Sequence, residues 1–120
     1  GLIINIIDQR VFFPNPEFLS YTSSKQSLMW LTHTLAQALS PQIRVCAIGP
    51  GPTLKGARQS KKDFENQSLS TPLMIGSNPE EIYRAVKFII DMPSFTGQII
   101  TLDGGEHLKW IRKEDKNFKD

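Results

Sequence analysis

LIINII, residues 2–7, is an apolar run interrupted only by Asn5 and dominated by β-branched side chains. A strand with one wet face alternates apolar and polar, whereas a near-continuous run reads as a strand covered on both faces, as in a parallel sheet. Parallel neighbours need long crossovers, and the following sequence provides them. DQRVFFPNPEF is a loop with two prolines, in which Asn15-Pro16 pairs an N-cap acceptor with Pro at the first helical position. The helix this starts is expected to run to about Leu39, stopping before Ser40-Pro41 and spanning roughly 35 Å. Leu28, Leu31, Leu35, Ala36 and Leu39 supply its apolar face. Residues 43–48, IRVCAI, form a second strand ended by the turn GPGP.

A polar stretch follows, LKGARQSKKDFENQSL, with at most one loose helix around Phe64. Asn78-Pro79 repeats the start signal, with Glu80 and Glu81 favoured in the first turn. Ile82, Ala85, Val86, Ile89 and Ile90 fall on one face of the resulting helix. Residues 98–102 give a third strand before LDGG, and the charged tail is expected to be solvated beyond Trp110. The order β-α-β-(loop or helix)-α-β describes an α/β layered unit with right-handed parallel connections. An uncharged strand such as LIINII is a poor sheet edge. The expectation is therefore the C-terminal part of a Rossmann-type, doubly wound parallel sheet, three strands with helices, whose N-terminal half is missing. Residues 2–108 form that domain and 109–120 a charged C-terminal tail, with no internal repeat or linker.

Composition narrows the function classes. The 120 residues are 39% hydrophobic and 22% charged, with a formal net charge of +2, ordinary values for one soluble domain. Lys and Arg are interleaved with acids rather than gathered into a stripe with aromatics, which argues against nucleic acid as a partner. No apolar run is long enough to span a bilayer or shaped like a signal peptide. Cys46, alone and within IRVCAIG, reads as a small buried hydrophobe, and the lack of any possible internal disulfide fits a reducing, cytoplasmic setting. No His, Cys and Asp cluster has metal-ligand spacing, so no metal site is expected. His33 and Trp30 read as packing or interface residues, and His107 as a surface histidine that could instead approach a partner subunit.

Tyr21 and Lys25 stand one helical turn apart, just after the first strand and its loop. That spacing alone is equally satisfied by a half-buried Tyr with a snorkelling Lys beside it. Their position near the carboxyl edge of an open α/β sheet, where ligands bind, favours chemistry. The blocks IINIID, YTSSK, IRVCAIGPGPT and TGQIITLDGG, in this order and spacing over about residues 2 to 108, resemble the C-terminal half of a short-chain dehydrogenase/reductase.

The resemblance implies that Tyr21 exchanges a proton with substrate, that Lys25 holds the nicotinamide ribose and favours the phenolate, and that Pro50 and Gly51 contact the nicotinamide end. A free phenol titrates near pH 10. An ammonium about 4 Å away is worth ~1 kcal/mol in water but ~4 kcal/mol at an effective dielectric near 20, so such a pair works only in a partly dried pocket. Where the family usually places a Ser, thirteen positions before the Tyr, stands Asp8. Pteridine reductases of the family carry Asp there, suited to pair with a ring nitrogen; an Asp capping its own loop is the plainer reading. An ionised carboxylate there would also oppose phenolate formation. Thr53 takes the place of a hydroxyl residue usually found two positions later, where Lys55 stands, and is expected to touch the cofactor; an ordinary turn residue is its plainer reading. Residues 55–69 fall in the family's substrate-lid region. The glycine-rich turn that opens the dinucleotide fold is absent from these residues.

The resemblance thus implies an NAD(P)H-dependent oxidoreductase, NADPH favoured, transferring hydride to a C=N or C=O bond of a small, pteridine-like molecule. The 120-residue chain alone is expected to be inactive and to hold no cofactor. Family practice also implies a homo-oligomer, dimer or tetramer. A non-catalytic oligomerisation module built on the interface helices is the alternative.

Overall fold

The computed structural model describes residues 1–12 and 16–108. Three strands, β1 (Leu2–Ile6), β2 (Arg44–Pro50) and β3 (Ile99–Leu102), form a parallel sheet in the order β1-β2-β3. The register pairs Ile6 with Ile48 and Pro50 with Leu102, so all three strands end at one edge. The helices are α1 (Leu19–Ala38), α2 (Lys61–Leu69) and α3 (Pro79–Asp91), and short 3-10 turns follow β1 at Gln9–Phe12 and β3 at Glu106–Leu108. The expected α/β architecture is present, with α1 and α3 as the two crossover helices.

Alternation along β2 divides the core. Cys46 and Ile48 point toward Ala85 and Ile89 of α3, while Ala47 packs with Ile7, Val11, Leu28 and Met29 on the α1 side. Val45, Cys46, Ala47 and Ile48 are fully buried, as a central parallel strand requires. β1 pairs with β2 alone among the described residues, and Ile3 and Ile6 remain exposed. Within these residues the apolar run expected to lie inside a sheet stands at its edge.

The predicted cap of α3 is present: Asn78 accepts a hydrogen bond from the Glu81 amide at 2.9 Å, with Pro79 opening the helix. The start of α1 differs. Asn15 lies outside the described residues, and Pro16 is not helical; the helix begins at Leu19 after Phe18 at φ 55°, with no side-chain cap. A positive φ cannot continue a right-handed helix, and the Arg10 guanidinium over the Phe18 ring, 4.9 Å from its centroid, accompanies that turn. Trp110 and the rest of the tail also lie outside the described residues.

The sheet-facing stripe of α1 matches the expected one only in part. Leu28 packs inward and Ala36 is buried as expected, but the other buried positions are Thr22 and Thr32, and Leu31 faces outward with Trp30. Small side chains let the helix sit close to the sheet. Thr32 is satisfied in the interior, donating to the Leu28 carbonyl at 2.9 Å and accepting from Asn5 Nδ2 at 3.0 Å.

Arg44, which carries no signal in the periodicity, closes the C-terminal end of α3. Its Nη1 donates to the carbonyls of Ile89, Met92 and Phe95 at 2.9 to 3.0 Å, a cation where the helix dipole and unpaired carbonyls favour one. Replacing it by Met keeps the stem and removes these charge-assisted bonds. Arg44→Met is expected to cost about 2 kcal/mol of stability, read as a lower denaturation midpoint at unchanged m-value.

Candidate active site

The loop leaving β1 turns because of Asp8. Its Oδ1 accepts from the Arg10 amide at 2.8 Å, and the Val11 amide donates to its carbonyl, setting the 3-10 turn. Oδ2 remains available and accepts from the Tyr21 hydroxyl at 3.0 Å. Oδ1 thus acts as the expected loop cap, while Oδ2 meets the Tyr21 hydroxyl.

One helical turn beyond Tyr21, Lys25 reaches back to β1, its Nζ donating to the Ile6 carbonyl at 3.0 Å. The ammonium lies 5.8 Å from the Tyr21 ring centroid. Arg10 was not anticipated: its guanidinium covers the same ring at 5.5 Å, with Nε 4.0 Å from Asp8 Oδ1. The Tyr21 phenol is pushed above its ordinary value, first by burial, then by the charge and hydrogen bond of Asp8, with Arg10 opposing. The expectation that Lys25 would favour the phenolate does not describe this arrangement. The ammonium is engaged with the strand, and the nearest acceptor to the phenol is a carboxylate.

The opposite wall comes from the turn after β2. The Gly51 amide donates to the Leu102 carbonyl at 2.9 Å, and a Cβ on Gly51 would lie 2.7 Å from Asp103 Cα, so only glycine fits. Thr53 uses its hydroxyl inside this turn, donating to the Gly51 carbonyl at 2.9 Å. Asp8, Tyr21, Lys25, Pro50, Gly51 and Thr53 all line one cleft of about 310 Å³ at the carboxyl edge of the sheet. Gln9, Gln67 and Glu106 line it too, and none of these three had been singled out. Burial pushes the Glu106 carboxyl upward, as do the charges of Asp103 and Asp8, against Arg10.

His107 is more than a surface histidine. Its amide donates to Asp103 Oδ2 at 2.7 Å and its Nδ1 lies 2.9 Å from both carboxylate oxygens, while its ring faces Phe12 at 5.8 Å. Asp103 is 2% exposed and also accepts from the Gly105 amide, so the turn after β3 is locked against the turn after β1.

The profile of a family described as enoyl-(acyl carrier protein) reductase matches residues 1–107. The short-chain dehydrogenase/reductase homolog YusR of Bacillus subtilis is 33% identical over 112 residues, covering 90% of this chain and 84% of that protein. The chain belongs to the short-chain dehydrogenase/reductase family. Dihydromonapterin reductase of Escherichia coli is 28% identical over 108 residues, 89% of this chain and 45% of that one. The crystal structure of FolM alternative dihydrofolate reductase 1 from Brucella canis, complexed with NADP, superposes with a TM-score of 0.90 at 52% identity, over 95% of this chain and 46% of that chain. The chain thus spans most of the Bacillus homolog but under half of the other two.

As a member of this family the cleft can be tested against a nicotinamide nucleotide. Lys25 spends one proton on Ile6 and has two more that could be donated to ribose hydroxyls, while Pro50 and Gly51 line the cleft where a nicotinamide ring would lie. The donor set fits. Among the described residues no group of His, Cys, Asp and Glu could hold a metal, and no helix is long and apolar enough to cross a membrane.

The folded protein holds the Tyr21 proton more tightly than the unfolded chain. That stabilisation is present below the ordinary phenol value and lost as pH rises through the raised one. Asp8→Asn removes the carboxylate charge and is expected to bring the Tyr21 titration down. Tyrosinate ultraviolet absorbance, with Tyr21→Phe subtracting Tyr83, measures it; an unchanged titration would show that Asp8 does not act on the phenol.

Proposed function

We propose that this chain is the substrate-side half of an NADPH-dependent reductase acting on a C=N bond of a pteridine-like ring. The observation that carries the reading is the Tyr21 hydroxyl bonded to Asp8 Oδ2 at 3.0 Å in a cleft shared with Lys25. The reduced cofactor, when bound, supplies hydride to the ring carbon. Tyr21 delivers its proton to the nitrogen, the burial and the Asp8 bond having kept the phenol protonated. Asp8 then pairs with an N–H of the ring, for which a carboxylate is a better partner than a neutral hydroxyl. Lys25 orients the ribose, Pro50 and Gly51 back the nicotinamide, and Thr53 stiffens that wall. NADP in the Brucella structure and the monapterin reductase among the relatives support this choice of cofactor and substrate.

The exposed edge of β1, with Ile3 and Ile6 uncovered, supports a further strand pairing there in the complete enzyme. α2 has no buried residue and reaches the cleft through Gln67, which suits a substrate lid. We also propose a cytoplasmic homo-oligomer. The groove of about 490 Å³ beside Phe88, Ile100 and Leu102 and the outward Trp30 and Leu31 offer apolar surface for a second copy. Light scattering of the complete protein decides this, a clean monomer counting against it.

Tyr21→Phe in the complete enzyme is expected to lower kcat by about 10²- to 10⁴-fold with little change in NADPH affinity. Retained turnover would end the assignment of Tyr21. The 120-residue chain alone is expected to bind NADPH poorly, because the adenosine half has no glycine-rich turn here. A fluorescence titration with micromolar affinity would contradict that.

A further inference from the structure

Two residues that line the cleft each carry a covered side-chain oxygen with no hydrogen-bond partner among the described residues. Gln9 is 4% exposed, yet its Oε1 accepts no hydrogen bond; Glu106 Oε2 is also covered and unpartnered. Gln9 opens the 3-10 turn after β1, Glu106 opens the one after β3, and the two turns pack together. Both side chains line the cleft that contains Asp8 and Tyr21. A covered acceptor without a donor costs about 1–3 kcal/mol, so two at one site are unlike ordinary packing.

We propose that Gln9 and Glu106 are a specificity-determining pair that accepts hydrogen bonds from two adjacent N–H groups on a cyclic guanidine-type edge of the substrate. The proposal deepens the reductase reading and rests on it for the assumption that the reduced ring enters this cleft. The chemistry of the pair selects the ligand class. An amide oxygen and a carboxyl oxygen both accept, so an anion is rejected, and with Asp103 and Asp8 near Glu106 the rejection is stronger. A lone hydroxyl satisfies one oxygen only. A small cation meets competition from Arg10, which already sits as the counter-charge to both Asp8 and Glu106. Coplanar, neighbouring N–H donors satisfy both acceptors together, and the upward push on the Glu106 carboxyl is relieved by donors that favour its ionised form.

The test uses two fluorescent probes that differ at one ring position, 2-amino-4-oxopteridine and 2,4-dioxopteridine, titrated into the complete protein that carries this chain, in the presence of NADP. The wild type is expected to bind the amino compound tighter by about tenfold or more, because its neighbour donors are the matched ones. Glu106→Leu and Gln9→Leu are each expected to shrink that preference to about threefold or less while leaving the affinity for NADP unchanged. Glu106→Gln keeps the volume and one acceptor, and is expected to retain part of the preference, which provides the reading should a Leu variant not fold. The inference is overturned if the wild type shows no preference or no binding, or if the variants weaken both probes by the same factor, as a purely structural role would. Selective binding without any NADPH oxidation on a pteridine would uphold the pair and end the reductase reading instead.

Discussion

Two hydrogen bonds tie α1 to the end of β1, and the site depends on both. Lys25 Nζ holds the Ile6 carbonyl and the Tyr21 hydroxyl holds Asp8, each at 3.0 Å. The donors are one helical turn apart and the acceptors two residues apart on an extended strand end, so both bonds form only for one rotation of the helix about its axis. A leucine stripe alone would set that rotation loosely. The constraint comes instead from small and polar contacts: Asn5 in the strand donates to Thr32 in the helix, and Ala36 faces Gly97, where a Cβ would come within 3.5 Å. A buried polar pair admits few alternatives, because losing it strands a donor and an acceptor away from water. The core thereby fixes the direction in which Tyr21 points.

The far wall is fixed sterically. Gly51 presses on the Asp103 backbone, a Cβ on Gly104 would collide with the Ile75 carbonyl, and one on Gly76 with that of Pro52. Three glycines at close approaches knit the turn after β2, the segment after α2 and the turn after β3 into one unit. Asp103 completes it from inside, its carboxylate taking backbone amides of Gly105 and His107 together with the His107 ring. Against this wall α2 carries no buried residue, and Gln67 is bonded to Gln59 at 2.8 Å. A firm wall beside a loosely held helix is the arrangement a gated cleft needs.

Sequence patterns made the strands, α3 and its Asn78 cap legible, because apolar periodicity and the Asn-Pro signal are local. They also brought Asp8, Tyr21, Lys25 and the GPGPT turn to a common edge, through the rule that parallel strands end together. The start of α1 escaped because Phe18 takes a left-handed conformation that no composition signal announces. Its leucines misled for another reason. Hydrophobic residues mark a face that can be buried, while close helix–sheet contact also selects small polar ones, here Thr22 and Thr32, and leaves Leu31 outside. Arg44, His107, Gln9 and Glu106 share a third reason. Arg44 reaches carbonyls at the far end of α3, while Gln9, Glu106 and His107 sit in short turns, and a lone polar residue in either place has no periodicity from which its partners or burial could be read.

The charges around the phenol also bear on the direction of the chemistry. Arg10 and Asp8 lie 4.0 Å apart, worth about 4 kcal/mol at an effective dielectric near 20 but ~1 kcal/mol in water. With the Arg10 side chain 31% exposed, that pair belongs nearer the watery limit, and Arg10 is also the smallest of the influences on the Tyr21 phenol. Burial and Asp8 outweigh it, and the phenol holds its proton more tightly than a free one. A protonated phenol gives a proton and does not take one, which on the proposed reading suits delivery to a ring nitrogen. Were Lys25 to turn from the Ile6 carbonyl toward the phenol the balance would shift, but that costs the strand bond that sets the helix in place. On the proposed reductase reading, the bond that sets the helix in place also keeps Lys25 from the phenol.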